Sequence, residues 1–94
     1  MKTLAEITKR EWQRNIGPLP KDFFLQIEGD FLTLCYMGDR FREIMEPGGG
    51  FPQGTYARIC CLYISHPSAL YKAEIIRKVK EEITRIIREL EIET

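Results

Sequence analysis

The chain of 94 residues lacks several features that would assign it to a class of protein. Its 14 basic and 14 acidic residues cancel to a formal net charge of zero, which disfavours a nucleic-acid binder that relies on bulk attraction to phosphate. No apolar run approaches membrane-spanning length, and the first residues lack the apolar stretch of an export signal. We therefore expect a cytoplasmic protein that does not enter a membrane.

Cysteine and histidine are also scarce. The three cysteines, Cys35, Cys60 and Cys61, are odd in number and lack the spacing of a secreted disulfide framework. We expect free thiols, and the sequence indicates no metal site and no cofactor. His66, the only histidine, lies before an expected helix start, where a local structural role is favoured over catalysis. With no catalytic residue identified, the sequence favours a non-catalytic protein over an enzyme.

The length fits one domain, which we expect to cover residues 1–94. Thr3 and Glu6 have the spacing of a capping box and predict a helix from about Leu4 to Ile16. Near the other end, apolar residues at helical spacing predict an amphipathic helix from about Ala69 to Glu91. Its expected length of roughly 34 Å is enough to cross a domain of this size.

Between the helices, the sequence predicts an antiparallel meander. A Gly-Asp pair separates the apolar runs Phe23–Glu28 and Phe31–Met37, which is typical of a two-residue hairpin turn. The register that this turn sets places Leu25 opposite Leu34, so that the apolar side chains share one face. A second Gly-Asp pair precedes Arg40–Met45, which we therefore interpret as a third strand.

A Gly- and Pro-rich loop, Glu46–Gly54, follows. It leads into a strand and has no lysine after its glycines, so the pattern disfavours a phosphate-binding loop. Thr55–Ser65 predicts a fourth strand, and its centre, Ile59–Ile64, is apolar on both faces. Such a run fits a central position, for example beside the first strand, or a face that a partner covers.

The predicted fold class is α+β: a four-stranded antiparallel sheet packed by an N-terminal helix and a long C-terminal helix, in the order α-β-β-β-β-α. The second face of this sheet is the leading candidate for function. The first face is the one that carries Leu25 and Leu34, and the second face is the other side of the sheet. If the N-terminal helix joins the long helix on the first face, the second face is left for association. If the N-terminal helix packs on the second face, that face belongs to the core. The candidate interaction residues are Phe24, Phe31, Ile44 and the loop residue Phe51.

The sequence thus favours a non-catalytic protein-interaction module that acts as a homodimer, with another protein as the alternative partner. A second hypothesis is a nucleic-acid-binding accessory protein that uses sheet-face arginines and the basic N-terminal helix. Its candidate contacts are Arg40, Arg42 and Arg58. The nearby acidic residues Glu28 and Asp39 make this hypothesis the weaker one.

Overall fold

The computed structural model describes residues 3–92, without the side chain of Ala5. Residues 1, 2, 93 and 94 of the expected domain lie outside the described residues. The elements are helix α1 (Leu4–Ile16), strands β1 (Phe23–Glu28), β2 (Phe31–Tyr36) and β3 (Ala57–Tyr63), and helix α2 (Ala69–Glu89). The sheet is antiparallel with the strand order β1-β2-β3.

Local signals in the sequence place the first half of the fold correctly. The predicted capping box is confirmed: Thr3 and Glu6 each accept a hydrogen bond from the other's backbone amide. The predicted register of the first hairpin is also confirmed, with Leu25 opposite Leu34. Its turn depends on Gly29, whose φ of +57° is disfavoured for other residues.

The predicted four-stranded sheet is wrong, because Arg40–Met45 does not form a strand within the described range 3–92. Phe41–Glu43 is a short 3-10 helix instead. The guanidinium of Arg40 donates to both carboxylate oxygens of Glu43, at 2.6 and 2.8 Å, and also to the carbonyl of Leu90 at the end of α2. Residues three apart share a side of a 3-10 turn but lie on opposite faces of a strand, so these contacts select the turn.

The same turn overturns the predicted place of Ile44. The spacing of three between Phe41 and Ile44 directs both side chains inward, and Ile44 is only 3% exposed. Ile44 therefore belongs to the core and does not lie on the second face of the sheet.

The strand expected fourth, β3, lies at an edge of the sheet. It pairs with β2, with Leu34 opposite Cys60, and the register shifts at Cys35, where Arg58 and Ile59 together face one residue of β2. Of the two alternatives that the sequence left for this strand, the central position beside the first strand is therefore excluded.

Both helices pack on one face of this sheet. Trp12 and Ile16 of α1 join one hydrophobic core with α2 and with Leu25, Leu32 and Leu34 of the sheet. The amphipathic character of α2 is confirmed, since its buried side chains recur at helical spacing: Ile75, Val79, Ile83 and Ile86. At 1.5 Å per residue, α2 is roughly 32 Å long. The described residues measure 34 × 25 × 25 Å, so the length of α2 is close to the longest dimension of the molecule.

No helix among residues 3–92 combines the length and the apolar composition that crossing a membrane requires.

Candidate functional site

The face of the sheet opposite the helices, called the open face below, carries no helical layer among the described residues. Its side chains follow from the strand registers, because residues directly opposite each other in a sheet share a face. Three rows cross it: Phe24–Cys35–Arg58, Gln26–Thr33–Cys61 and Glu28–Phe31–Tyr63.

The first row of the open face is covered by residues that precede β3. The ring of Tyr56 packs edge-on against Phe24, with centroids 5.3 Å apart, and its hydroxyl accepts a hydrogen bond from the side-chain amide of Gln26 at 3.1 Å. Cys35 is fully buried there. A cavity of about 200 Å³ remains over the middle row, with Pro47 of the Gly-rich loop on its rim.

The last row is uncovered. The rings of Phe31 and Tyr63 lie directly opposite each other, with centroids 5.7 Å apart and an interplanar angle of 70°. Their exposures are 46% and 44%, so about half of each aromatic surface contacts solvent. Cys61, in the next row, is exposed as well.

The predicted interaction residues thus fall in three environments. Phe31 lies on the uncovered row and Phe51 is 53% exposed on the Gly-rich loop. Phe24 is partly buried against Tyr56, and Ile44 is in the core. Only Phe31 lies on an exposed part of the open face.

The three predicted anion-binding arginines do not form one surface. Arg58 bonds to Glu46 through its side chain at 3.1 Å and its backbone amide at 3.0 Å. These bonds hold the pKa of the Glu46 carboxyl below its usual value. Arg40 is bound to Glu43, and the guanidinium of Arg42 lies 5.3 Å from the centroid of the Phe41 ring.

His66 has a structural environment. Its Nδ1 accepts a hydrogen bond from the backbone amide of Ser68 at 3.1 Å, and its ring packs on Tyr71 with centroids 4.7 Å apart. Ser68 is the N-cap of α2, so His66 helps to fix the start of that helix. Among the residues that the structure describes, no group of three or more His, Cys, Asp or Glu side chains could hold a metal ion.

Two of the three thiols are held in the protonated form. Burial raises the pKa of Cys35 to about 12 and that of Cys60 to about 11. A thiol needs its thiolate form to act as a nucleophile, so these two positions are unsuited to covalent chemistry at neutral pH. Of these two thiols, that of Cys35 lies on the open face and that of Cys60 on the face packed by the helices.

A second surface, not anticipated from the sequence, lies where α1 passes beside β1. An open groove of about 590 Å³ separates them, and Arg10, Gln13 and Arg14 of α1 face Phe23 and Phe24 of β1 across it. The basic residues of α1 were visible in the sequence. Their position beside a strand edge depends on how the helix packs, which no local pattern encodes.

Comparison of the chain with protein-family models, with curated proteins and with solved structures finds no match.

Proposed function

We propose that the protein is a non-catalytic interaction module that forms a homodimer through the open face. The observation that supports the proposal is the Phe31–Tyr63 pair, half exposed on a sheet face without a helical layer. Aromatic side chains that pair on an exposed surface are typical anchors of protein interfaces, because they remove a large apolar area from water at a small cost in side-chain entropy.

A second copy of the chain suits this face electrostatically. The net charge of zero means that two copies do not repel each other at long range. Glu28 and Arg58 occupy opposite corners of the face, but Arg58 is already held by Glu46 of its own chain. The contact between the two copies is therefore made by the apolar Phe31–Tyr63 row, which a two-fold axis places against the same row of the partner.

The size of the face sets the expected affinity. Three strands about 4.8 Å apart and six residues long give a surface of roughly 10 by 20 Å. That is small compared with the roughly 800 Å² per partner of a standard interface. We therefore expect a reversible dimer with a dissociation constant in the micromolar range or weaker.

Sedimentation velocity from about 1 µM to about 1 mM tests the proposal. The wild-type protein should shift from monomer to dimer with concentration, and Phe31→Lys combined with Tyr63→Lys should remain monomeric. The matched control is Leu4→Lys with Leu70→Lys, which introduces the same two charges at apolar side chains that are 80% and 81% exposed on the helices, in the opposite layer. A strict monomer at the highest concentration, or a dimer that the double variant leaves intact, would refute it.

We do not extend the proposal to nucleic acid. Arg40 is bound to Glu43 and Arg58 to Glu46 of the same chain. Of the three predicted contacts, this leaves Arg42, and one arginine is too small a basic patch to bind a phosphate backbone.

A further inference from the structure

The cavity over the middle row of the open face places a thiol beside a hydroxyl. Thr33 lies directly opposite Cys61 in the sheet, and both residues line the space of about 200 Å³. Side chains in this relation have Cβ atoms roughly 5 Å apart, so one small ligand can contact both. Cys61 is exposed, and a reagent that enters the cavity can therefore reach its sulfur.

The hydroxyl of Thr33 is the feature that indicates a ligand. Thr33 is only 8% exposed, and its hydroxyl forms no hydrogen bond with any residue from 3 to 92. Over the same residues, every side-chain nitrogen or oxygen that is sealed from solvent has a hydrogen-bond partner, so the Thr33 oxygen opens onto the cavity. A buried polar group without a partner is costly, and a polar ligand in the cavity would supply that partner.

Groups of opposite charge lie on the two sides of this middle row. Arg58 belongs to the first row and Glu28 to the last, and both line the cavity. Glu46 accepts from Nε of Arg58 at 3.1 Å, whereas the two terminal nitrogens of Arg58 have no partner among the described residues. Glu28 is exposed and forms no ion pair within that part of the chain. A small zwitterion fits this arrangement, with its carboxylate at Arg58 and its ammonium group at Glu28.

The size of the cavity restricts the ligand to about one amino acid. Pockets that take drug-sized ligands measure roughly 300–1,000 Å³, and this one is smaller, at about 200 Å³. Its wall at Tyr56 is held by the hydrogen bond from the side-chain amide of Gln26. An amino acid that carries sulfur can place its charged groups in the cavity and its sulfur at Cys61.

We propose that this cavity is a thiolation site, in which cystine reacts with Cys61 and leaves one cysteine attached as a mixed disulfide. The Cys61 thiol releases its proton to solvent, and its sulfur attacks one sulfur of cystine. A new S–S bond forms as the S–S bond of cystine breaks. The electron pair leaves with the second cysteine as a thiolate, which takes up a proton. One disulfide replaces another, so cystine is the only oxidant that the step needs.

The attached cysteine keeps its free amino and carboxyl groups, which bind Glu28 and Arg58, while the Thr33 hydroxyl bonds to either group. Glutathione disulfide lacks this pattern, because the amino and carboxyl groups beside its sulfur are in amide bonds. Thiols reverse the exchange in a reducing compartment. Occupancy of the site therefore follows the ratio of cystine to cysteine.

The test measures the rate at which cystine modifies the full chain, by intact-mass spectrometry, with digestion to locate the modified cysteine. The neutral 2-hydroxyethyl disulfide gives a reference rate for each protein, and the ratio of the two rates cancels differences in thiol reactivity. At Cys61 we expect this ratio to be about tenfold higher in the folded chain than in the same chain unfolded by urea. The ratio for glutathione disulfide should not rise on folding.

Variants assign the preference to the cavity. Thr33→Val and Glu28→Gln should each lower the ratio for cystine about three- to tenfold, the range expected for the loss of one hydrogen bond. The matched control Glu11→Gln removes the same charge at an exposed position on α1 and should leave the ratio unchanged. Urea unfolding provides a second readout: Thr33→Val should not lower the stability of the unmodified chain, because its hydroxyl has no partner within residues 3–92.

Three results would overturn the proposal: no modification of Cys61 by cystine, a ratio that folding does not raise, or equal ratios for the wild type and Thr33→Val. A stronger preference for glutathione disulfide than for cystine would also overturn it. All of the lining residues belong to one chain, so the site does not require the dimer proposed above. Either proposal can therefore fail without the other.

Discussion

The three cysteines show how strongly the position of a residue in the sheet controls its chemistry. Cys60 and Cys61 are neighbours in sequence and lie on opposite faces of β3. Cys60 faces the helices, where burial, and to a lesser extent the nearby Glu82, raises the pKa of its thiol. Cys35 is buried under the covered row of the open face, whereas Cys61 is exposed.

This difference predicts selective thiol modification. At about pH 8, a disulfide reagent such as Ellman's reagent should react rapidly with Cys61 and slowly with Cys35 and Cys60, because only the thiolate form reacts. The raised pKa values mean that the thiolates of Cys35 and Cys60 are populated only as the pH approaches the values of about 12 and about 11. Mass spectrometry after a short reaction identifies the modified residue. Cys61→Ser should abolish the rapid phase, and a rapid phase of two equivalents in the wild type would contradict the burial pattern.

At the scale of elements, the turn after β2 decides the number of strands. Gly38 is buried at its start, and a Cβ placed there would overlap the hydroxyl and ring of Tyr36. That ring is 5% exposed and packs on Phe23 with centroids 4.9 Å apart, so it has little room to move. The turn therefore requires a residue without a side chain at this point.

Gly38→Ala should lower the free energy of unfolding by about 1–3 kcal/mol, the usual cost of overpacking a well-packed site. Urea unfolding followed by circular dichroism measures the loss. The control is Gly50→Ala in the Gly-rich loop, where a Cβ would meet nothing within 4 Å and the backbone is not in the left-handed region. Equal stability of the two variants would show that the Tyr36 ring moves aside at little cost.

The elements that could be predicted from the sequence are those with local determinants. The capping box fixes the start of α1, and the two-residue turn at Gly29 fixes the register of β1 and β2. The segment after Gly38 is ambiguous, because Phe41 and Glu43 suit the alternation of a strand while Phe41 and Ile44 suit a turn of period three. The contact that supports the turn, from Arg40 to Leu90, spans fifty residues and leaves no local pattern.

The candidate site could also be predicted from the sequence only where its determinants are local. The rows that β1 and β2 contribute to the open face follow from the hairpin register. The contribution of β3 depends on the shift at Cys35, and the cover over the first row depends on Tyr56. The packing of Trp12 in the core sets the position of α1. That position leaves the open face without a helix and places Arg10 and Arg14 at the groove beside β1.

At the scale of the whole molecule, Glu46 joins the Gly-rich loop to the edge of the sheet. Its side chain is only 14% exposed, although that of its partner Arg58 is 59% exposed. Hydrogen bonds from the side chain and then from the backbone amide of Arg58 lower the pKa of the carboxyl from its ordinary value of 4.5. A lowered pKa in the folded state means that ionised Glu46 stabilises the fold above pH 4.5.

We expect this contribution to be lost as the pH falls from 4.5 through the lower pKa of the folded state. Glu46→Gln should lower the free energy of unfolding at neutral pH by about 1 kcal/mol, the typical worth of such a hydrogen bond. The difference from the wild type should disappear in acid, where Glu46 is itself uncharged. Urea midpoints measured across this pH range provide the check, and a difference that does not depend on pH would contradict an ionic role.

The position of α2 after all the strands has a consequence for biosynthesis. A ribosome makes α1 and the three strands first, and until α2 follows, the growing chain has no partner for much of the apolar face that carries Leu25, Leu32 and Leu34. Nascent chains with such exposed surfaces aggregate or recruit chaperones. Because synthesis runs from the N-terminus, the chain depends on its long helix to complete folding. A ribosome that stalls just after β3 would release an aggregation-prone chain whose apolar sheet face is exposed.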